Sequence, residues 1–201
     1  MKNIVFDIGN VLLKWSPQDI VKTLFPAAPH QDILVRKIFK SQIWYDLNLG
    51  KLTEKEAIFL YIQEFPADSV VFETLMDVVN ESLTPLKGSL ELFDNAYQSG
   101  RSLYSITDNV KEIMIFLRKK YNFFEKFQGI VVSAEEGFLK PSPRLYQILL
   151  DRYDLTASET IFMDDILANV EGARQVGMHG IHFTDADACA KELRHKFGVL
   201  L

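Results

Sequence analysis

The chain has 201 residues, 48% of them hydrophobic, with a formal net charge of −5 and a pI near 5.4. That balance excludes a disordered chain and argues against a nucleic-acid binder, which carries a basic face, while the length suits one domain or one domain with a sizeable insertion. One cysteine, an apolar N-terminal run cut short by Asp7, and no stretch of about 18 apolar residues point to a cytoplasmic protein with no membrane partner.

In chain order, residues 3–6 (NIVF) predict a short buried strand that runs into Asp7, Gly9 and Asn10. From about 16 to 85 the apolar period becomes helical, in "DIVKTLF", "ILVRKIF", "EAIFLYIQEF" and "VVFETLMDVV". Ser16 with Pro17 opens the first helix, Thr53 with Glu56 forms a capping box, and Asp68 or Ser69 is placed to cap the fourth. After Pro85 the pattern alternates. A helix over 88–99 precedes a strand at 102–106, a helix over 109–120 a strand at 129–133, and a helix over 142–153 a strand at 160–163. A helix over 166–176, a short strand "GIHF" and a helix over 186–196 finish the chain. Strands and helices in this order predict an α/β fold with a Rossmann-like parallel sheet covered on both faces. The helical block is then an insertion, giving an α/β core of 1–15 and 86–201 with a helical cap of 16–85.

Ligands of such sheets bind beyond the carboxyl ends of the strands. Asp7 follows the first strand, Thr107, Asp108 and Asn109 the second, and the pair Asp164–Asp165 the fourth, with Lys140 in the loop after the third. Each has an ordinary explanation. Asp7 suits a turn, Thr107 or Asp108 a cap for the next helix, Asp164–Asp165 a cap for helix 166–176, Lys140 a solvated loop, and Trp44, Tyr45, Phe59 and Tyr61 the packing of the cap. Their convergence on one edge is what points to chemistry. Clustered carboxylates need a cation, and Mg²⁺ is the hard ion that oxygen donors suit. A carboxylate can attack phosphorus, and a hydroxyl, a lysine and backbone N–H groups can hold the charged phosphoryl oxygens. The reaction class is phosphoryl transfer.

These segments resemble the four motifs of the haloacid dehalogenase superfamily of hydrolases, over nearly the whole chain. "VFDIGNVLL" is similar to the first motif, "LYSITDN" to the second, "GFLKPSPRLYQILL" to the third and "IFMDDILANVEGARQVGMHGIHF" to the fourth. Their key residues, Asp7, Thr107, Lys140 and Asp164, stand 100, 33 and 24 positions apart, as in the subgroup with a helical cap after the first strand. The resemblance implies Asp7 as nucleophile and metal ligand. It implies the carbonyl of Gly9, Asp165, and Asp164 directly or through water, as the other Mg²⁺ ligands. Thr107, Lys140 and the backbone at Asp108 would hold the phosphoryl group.

Gly9 departs from the pattern. Most phosphatases of the superfamily carry an Asp there as general acid, and losing one typically forfeits about 10²–10⁴ in rate. "D-x-G-N-V" resembles a branch that hydrolyses α-D-glucose 1-phosphate, whose hemiacetal leaving group needs less help from an acid. Asp108 is one possible proton donor, and "IWYDLNLGKLTEKEA" places Trp44 and Asp46 where they could meet substrate. A dehalogenase is disfavoured, since it would carry a bulky aromatic at position 9 and need no metal. The expectation is a Mg²⁺-dependent phosphatase of a small phosphorylated metabolite such as a hexose 1-phosphate, acting as a monomer or weak homodimer. The alternative is a non-catalytic or regulatory protein of the same fold that binds a phosphorylated ligand or protein partner.

Overall fold

The computed structural model describes residues 1–199; residues 200 and 201, the last two of the expected core segment, lie outside it. Strand β1 (Asn3–Phe6) is followed by six helices: α1 (Pro17–Leu24), α2 (Gln31–Phe39), α3 (Gln42–Asn48), α4 (Glu54–Glu64), α5 (Ser69–Glu73) and α6 (Leu75–Ser82). Then come α7 (Ser89–Gln98), β2 (Ser102–Thr107), α8 (Lys111–Lys120), β3 (Gly129–Val132) and α9 (Ser133–Glu136). The chain continues through α10 (Pro143–Arg152), β4 (Thr160–Asp164), α11 (Leu167–Gln175), β5 (His179–His182) and α12 (Ala186–Phe197).

The strands form one parallel sheet in the order β3-β2-β1-β4-β5. All four residues of β1 and all five of β4 are buried, as expected of strands covered on both faces. The sheet order reverses at β1, which carries β2 on one side and β4 on the other, and the carboxyl end of such a switch is where ligands bind. Register decides what meets there. Phe6 pairs with Met163 and with Ser105, so the next residue, Asp7, stands level with Asp164 and one residue short of Thr107.

The chain leaves and re-enters the α/β part at one place. Lys14 N–H donates to Thr84 O at 2.8 Å and Leu86 N–H to Leu12 O at 3.0 Å, and Leu13 bridges Pro85. One apolar cluster nonetheless runs from Ile4 and Phe6 through Val35, Tyr61 and Phe72, so the helical block and the sheet part share one core.

Local signals mostly decide the helix starts. Ser16 Oγ accepts from Asp19 N–H at the head of α1, and Thr53 with Glu56 forms the expected reciprocal box at α4. The predicted fourth cap helix is broken into α5 and α6 at Thr74, whose hydroxyl turns back to Val71 O. Neither Asp68 nor Ser69 caps it with a side chain; Pro66–Asp68 form a single 3₁₀ turn instead. Helix α3 was not expected, and Ser41 Oγ starts it by accepting from Trp44 N–H. Neither Thr107 nor Asp108 caps α8, which begins after Val110.

Candidate active site

Asp7 directly follows β1, with its N–H bonded to Met163 O at 2.9 Å. Its Oδ1 accepts from Ile8 N–H at 2.8 Å and lies 2.8 Å from Lys140 Nζ. The same ammonium reaches Asp164 Oδ2 at 2.6 Å and Ile106 O at 3.4 Å. The Lys140 side chain is only 2% exposed, so this is no solvated loop lysine; it is a buried cation between two acids. Burial alone would lower its pKa, but Asp7, Asp164 and Asp108 outweigh that and hold it above the usual lysine value. Burial raises the Asp7 carboxyl to about 7, against the opposing pull of Lys140 and with the negative charge of Asp164 adding to the rise.

Asp164 is fully buried and its oxygens are heavily used. Oδ1 accepts from Ile166 N–H at 2.8 Å, and Asn169 Nδ2 reaches Oδ1 and Oδ2 at 3.0 and 3.1 Å. Asp164 therefore both shapes the turn into α11 and holds the lysine. Asn169 is itself fixed by Tyr146, whose hydroxyl donates to Asn169 O at 2.8 Å. Sequence reading missed Asn169; its only signal was an amide five residues after an acid, which many helices show. Asp165 Oδ2 accepts from Asn10 Nδ2 at 3.2 Å, and burial raises its pKa while that hydrogen bond opposes the rise.

One carboxylate oxygen from each of Asp7, Asp164 and Asp165 lies within 4.8 Å of the others. An all-oxygen set of this span fits a hard cation such as Mg²⁺. Gly9 lines the adjoining cleft, which is about 350 Å³, the size of a small-metabolite site. Thr107 is buried at the end of β2 and stands level with Ile8, beside Asp7. Asp108 lines the cleft, its Oδ1 accepts from Lys140 N–H at 3.0 Å, and burial raises its pKa while Lys140 opposes. Asp46 is placed elsewhere: it pairs with Lys51 at 3.1 Å and does not line the cleft.

The cap aromatics divide. Tyr61 is core, fully buried with its hydroxyl on Ile38 O, whereas Phe59 is 61% exposed and packs no core. Trp44 and Tyr45 line the cleft, together with Trp15, which sequence reading did not single out. Asn10, in a left-handed conformation (φ 53°), joins these parts, because its Oδ1 accepts from Trp15 N–H at 3.0 Å while its amide holds Asp165. Ser133 is a second joint. Its hydroxyl donates to Asn48 O at 2.8 Å and accepts from Asn109 N–H at 2.9 Å, tying α3 to the loop after β2.

The sequence model of haloacid dehalogenase-like hydrolases matches residues 1–177. The sesquiterpene phosphatase astK of Aspergillus oryzae is 30% identical over 197 residues, covering 98% of this chain and 97% of that protein. Among solved structures, a predicted HAD-like family hydrolase from Porphyromonas gingivalis superposes with a TM-score of 0.76 at 19% identity, over 97% of this chain and 98% of that one. A HAD family enzyme of Bacteroides thetaiotaomicron, solved with magnesium and inorganic phosphate, superposes with a TM-score of 0.72 at 20% identity, over 90% and 93% of the two chains.

Proposed function

The chain belongs to the haloacid dehalogenase-like hydrolase family, and from that premise we propose that it is a Mg²⁺-dependent phosphatase of a small phosphorylated metabolite. One observation carries this reading: Lys140 Nζ sits 2.8 Å from Asp7 Oδ1 and 2.6 Å from Asp164 Oδ2, and Asp7, with the third carboxylate of Asp165, lines a cleft. The Ile8 hydrogen bond and the Lys140 ion pair of Asp7 both fall on Oδ1, which leaves Oδ2 for phosphorus. That oxygen forms a bond to the phosphoryl group as the ester P–O bond breaks, giving an aspartyl-phosphate. Lys140, the Thr107 hydroxyl and the backbone N–H of Asp108 hold the equatorial oxygens. Mg²⁺, when held by Asp7, Asp165, the carbonyl of Gly9 and Asp164 directly or through water, supplies positive charge against the phosphate. In this reading Asp108, buried beside Lys140 and lining the cleft, protonates the leaving oxygen in place of the acid that Gly9 lacks; its raised pKa supports the role. Water then attacks phosphorus, releasing inorganic phosphate and restoring the Asp7 carboxylate. Residues 16–85 act in this reading as the cap over a core of 1–15 and 86–201.

A hexose 1-phosphate meets the chemical demand at Gly9, because a hemiacetal oxygen leaves more readily than an ordinary alcohol's. A terpenoid alcohol phosphate is a second reading, favoured by the match to astK along almost all of both chains. The test is phosphate release from hexose 1-phosphates, nucleotides, small organic phosphates and terpenoid monophosphates, with and without Mg²⁺. Mg²⁺-dependent turnover that falls to background in Asp7→Asn is expected. Release from none, with phosphorylated ligands still bound, would replace the enzyme by the binding-protein alternative.

A further inference from the structure

The cleft above the carboxylates has an aromatic wall. Trp15 and Trp44 stack with ring centroids 5.7 Å apart and planes 15° from parallel. Phe39 packs edge-on against both, at 5.5 Å from Trp15 and 4.8 Å from Trp44. Ile113, Leu139 and Ile166 complete the apolar lining. Ile166 remains 53% exposed directly after the acidic pair.

Three polar side chains of the same lining, beside the aromatic rings, are spent on the protein itself, while Lys40, Tyr45 and Asn109 stand elsewhere on it. Ser41 donates to Ile38 O at 2.8 Å and accepts from Trp44 N–H at 3.1 Å. Asn10 is engaged at both ends, by Asp165 and by Trp15 N–H. Asn48 Nδ2 donates to Trp44 O at 2.9 Å. A leaving group with a hydroxyl on nearly every carbon would press donors and acceptors against the ring faces of Trp15, Phe39 and Trp44, and unpaired polar groups are costly to desolvate. A hydrocarbon leaving group loses nothing there and gains from burial.

Resting on the phosphatase reading, we infer that the leaving group is an apolar alcohol, of alkyl, aryl or isoprenoid type. Trp15, Phe39 and Trp44 are then the residues that select it. Trp15 is set by Asn10, which also holds Asp165, so the loop that shapes the phosphate end shapes the apolar wall as well.

The two tryptophans of the chain are Trp15 and Trp44, so tryptophan fluorescence reads this wall alone. The probes are n-alkylphosphonates from ethyl to decyl, whose C–P bond resists hydrolysis, added to the full-length protein with Mg²⁺. The dissociation constant is expected to fall about fourfold per added methylene until the cleft is filled, and glucose 1-phosphate is expected to bind more weakly than octylphosphonate. Trp44→Gln, read by Trp15, should flatten the dependence on chain length, and Trp44→Phe should restore most of it. Affinity independent of chain length, tighter binding of glucose 1-phosphate, or no fluorescence response up to decyl overturns the inference. Ester turnover is judged separately. A chain-length slope without hydrolysis of any ester removes the phosphatase and keeps the apolar wall, whereas hydrolysis without a slope removes only the wall.

Discussion

Lys140, Asp7 and Asp164 are expensive to bury apart and acceptable to bury together. Removing a carboxylate from water costs several kcal/mol in effective terms, so a buried acid keeps its charge only beside a cation. Here one ammonium serves two acids, while Asp164 also takes bonds from Ile166 N–H and Asn169. Gly9 is the other residue of consequence. A Cβ placed there would meet Trp15 Cβ at 3.6 Å, an ordinary contact, and the backbone is not in the left-handed region. A side chain therefore fits, and Gly9→Asp should supply a general acid stronger in placement than the substitute proposed at Asp108. Its turnover of alkyl phosphates, whose leaving groups are poor, is expected to rise by about 10²-fold, the low end of what such an acid contributes. Turnover of p-nitrophenyl phosphate, which needs no acid, should be unchanged. A plot of rate against leaving-group pKa for the two proteins decides it, and equal slopes would place the proton donor elsewhere.

Among the elements, α4 shows how the helical block is held. Its start is secured by the Thr53–Glu56 box, in which Glu56 Oε2 accepts from Thr53 N–H at 2.7 Å. Thr53→Ala is expected to lower stability by about 1 kcal/mol in urea unfolding, the usual worth of an N-cap side chain. The first residue of α4, Glu54, faces Glu112 of α8 and Asp77 of α6, and its Oε1 is buried without a partner. Burial first, then those two acids, raise its pKa from 4.5 to about 7. The folded state thus keeps a proton that the unfolded chain has lost, so stability declines as pH rises from about 4.5 to 7 and levels off above it. Glu54→Gln removes this titration. Urea midpoints at pH 5, 6, 7 and 8 should fall less steeply for the variant, which should be the more stable protein at pH 8. The joint beside it depends on Gly50. Its φ is +69°, and an added Cβ would lie 1.9 Å from Ala134 O, so only glycine lets the turn after α3 rest on α9.

For the molecule as a whole, the carboxylates come from β1 and from the end of β4, two strands joined only by a long excursion through the chain. A cation held by Asp7 and Asp165 is bound by the folded sheet and not by the unfolded chain. It should stabilise by mass action, by about 2.7 kcal/mol at a hundredfold excess over its dissociation constant. In a chain of this size that raises Tm by some 5–10 °C, as an approximate scale. Thermal melts with Mg²⁺, with EDTA and for Asp165→Asn check this; a variant that gains as much as the parent would place the cation elsewhere.

What the amino-acid order determined by itself was local and periodic. The strand NIVF, the capping box at Thr53, the alternation of strands and helices after Pro85, and an acid or hydroxyl at each strand end all follow from hydrophobic period and cap chemistry read over a few residues. Asp7, Thr107, Asp164 and Asp165 could be placed at strand ends for that reason. Tertiary structure decided everything that needed two distant segments in contact. Lys140 was one loop lysine among many until the sheet buried it between Asp7 and Asp164. Asp46 and Trp44 stood two residues apart on one short helix, and only packing sent Trp44 to the cleft and Asp46 to Lys51. Trp15 joined Trp44 across the start of the helical block, while Asn169 met Asp164 through a turn of α11. Side-chain direction on a helix, and the desolvation that turns a polar residue into a working one, depend on which surfaces meet, and no local window of sequence contains that information.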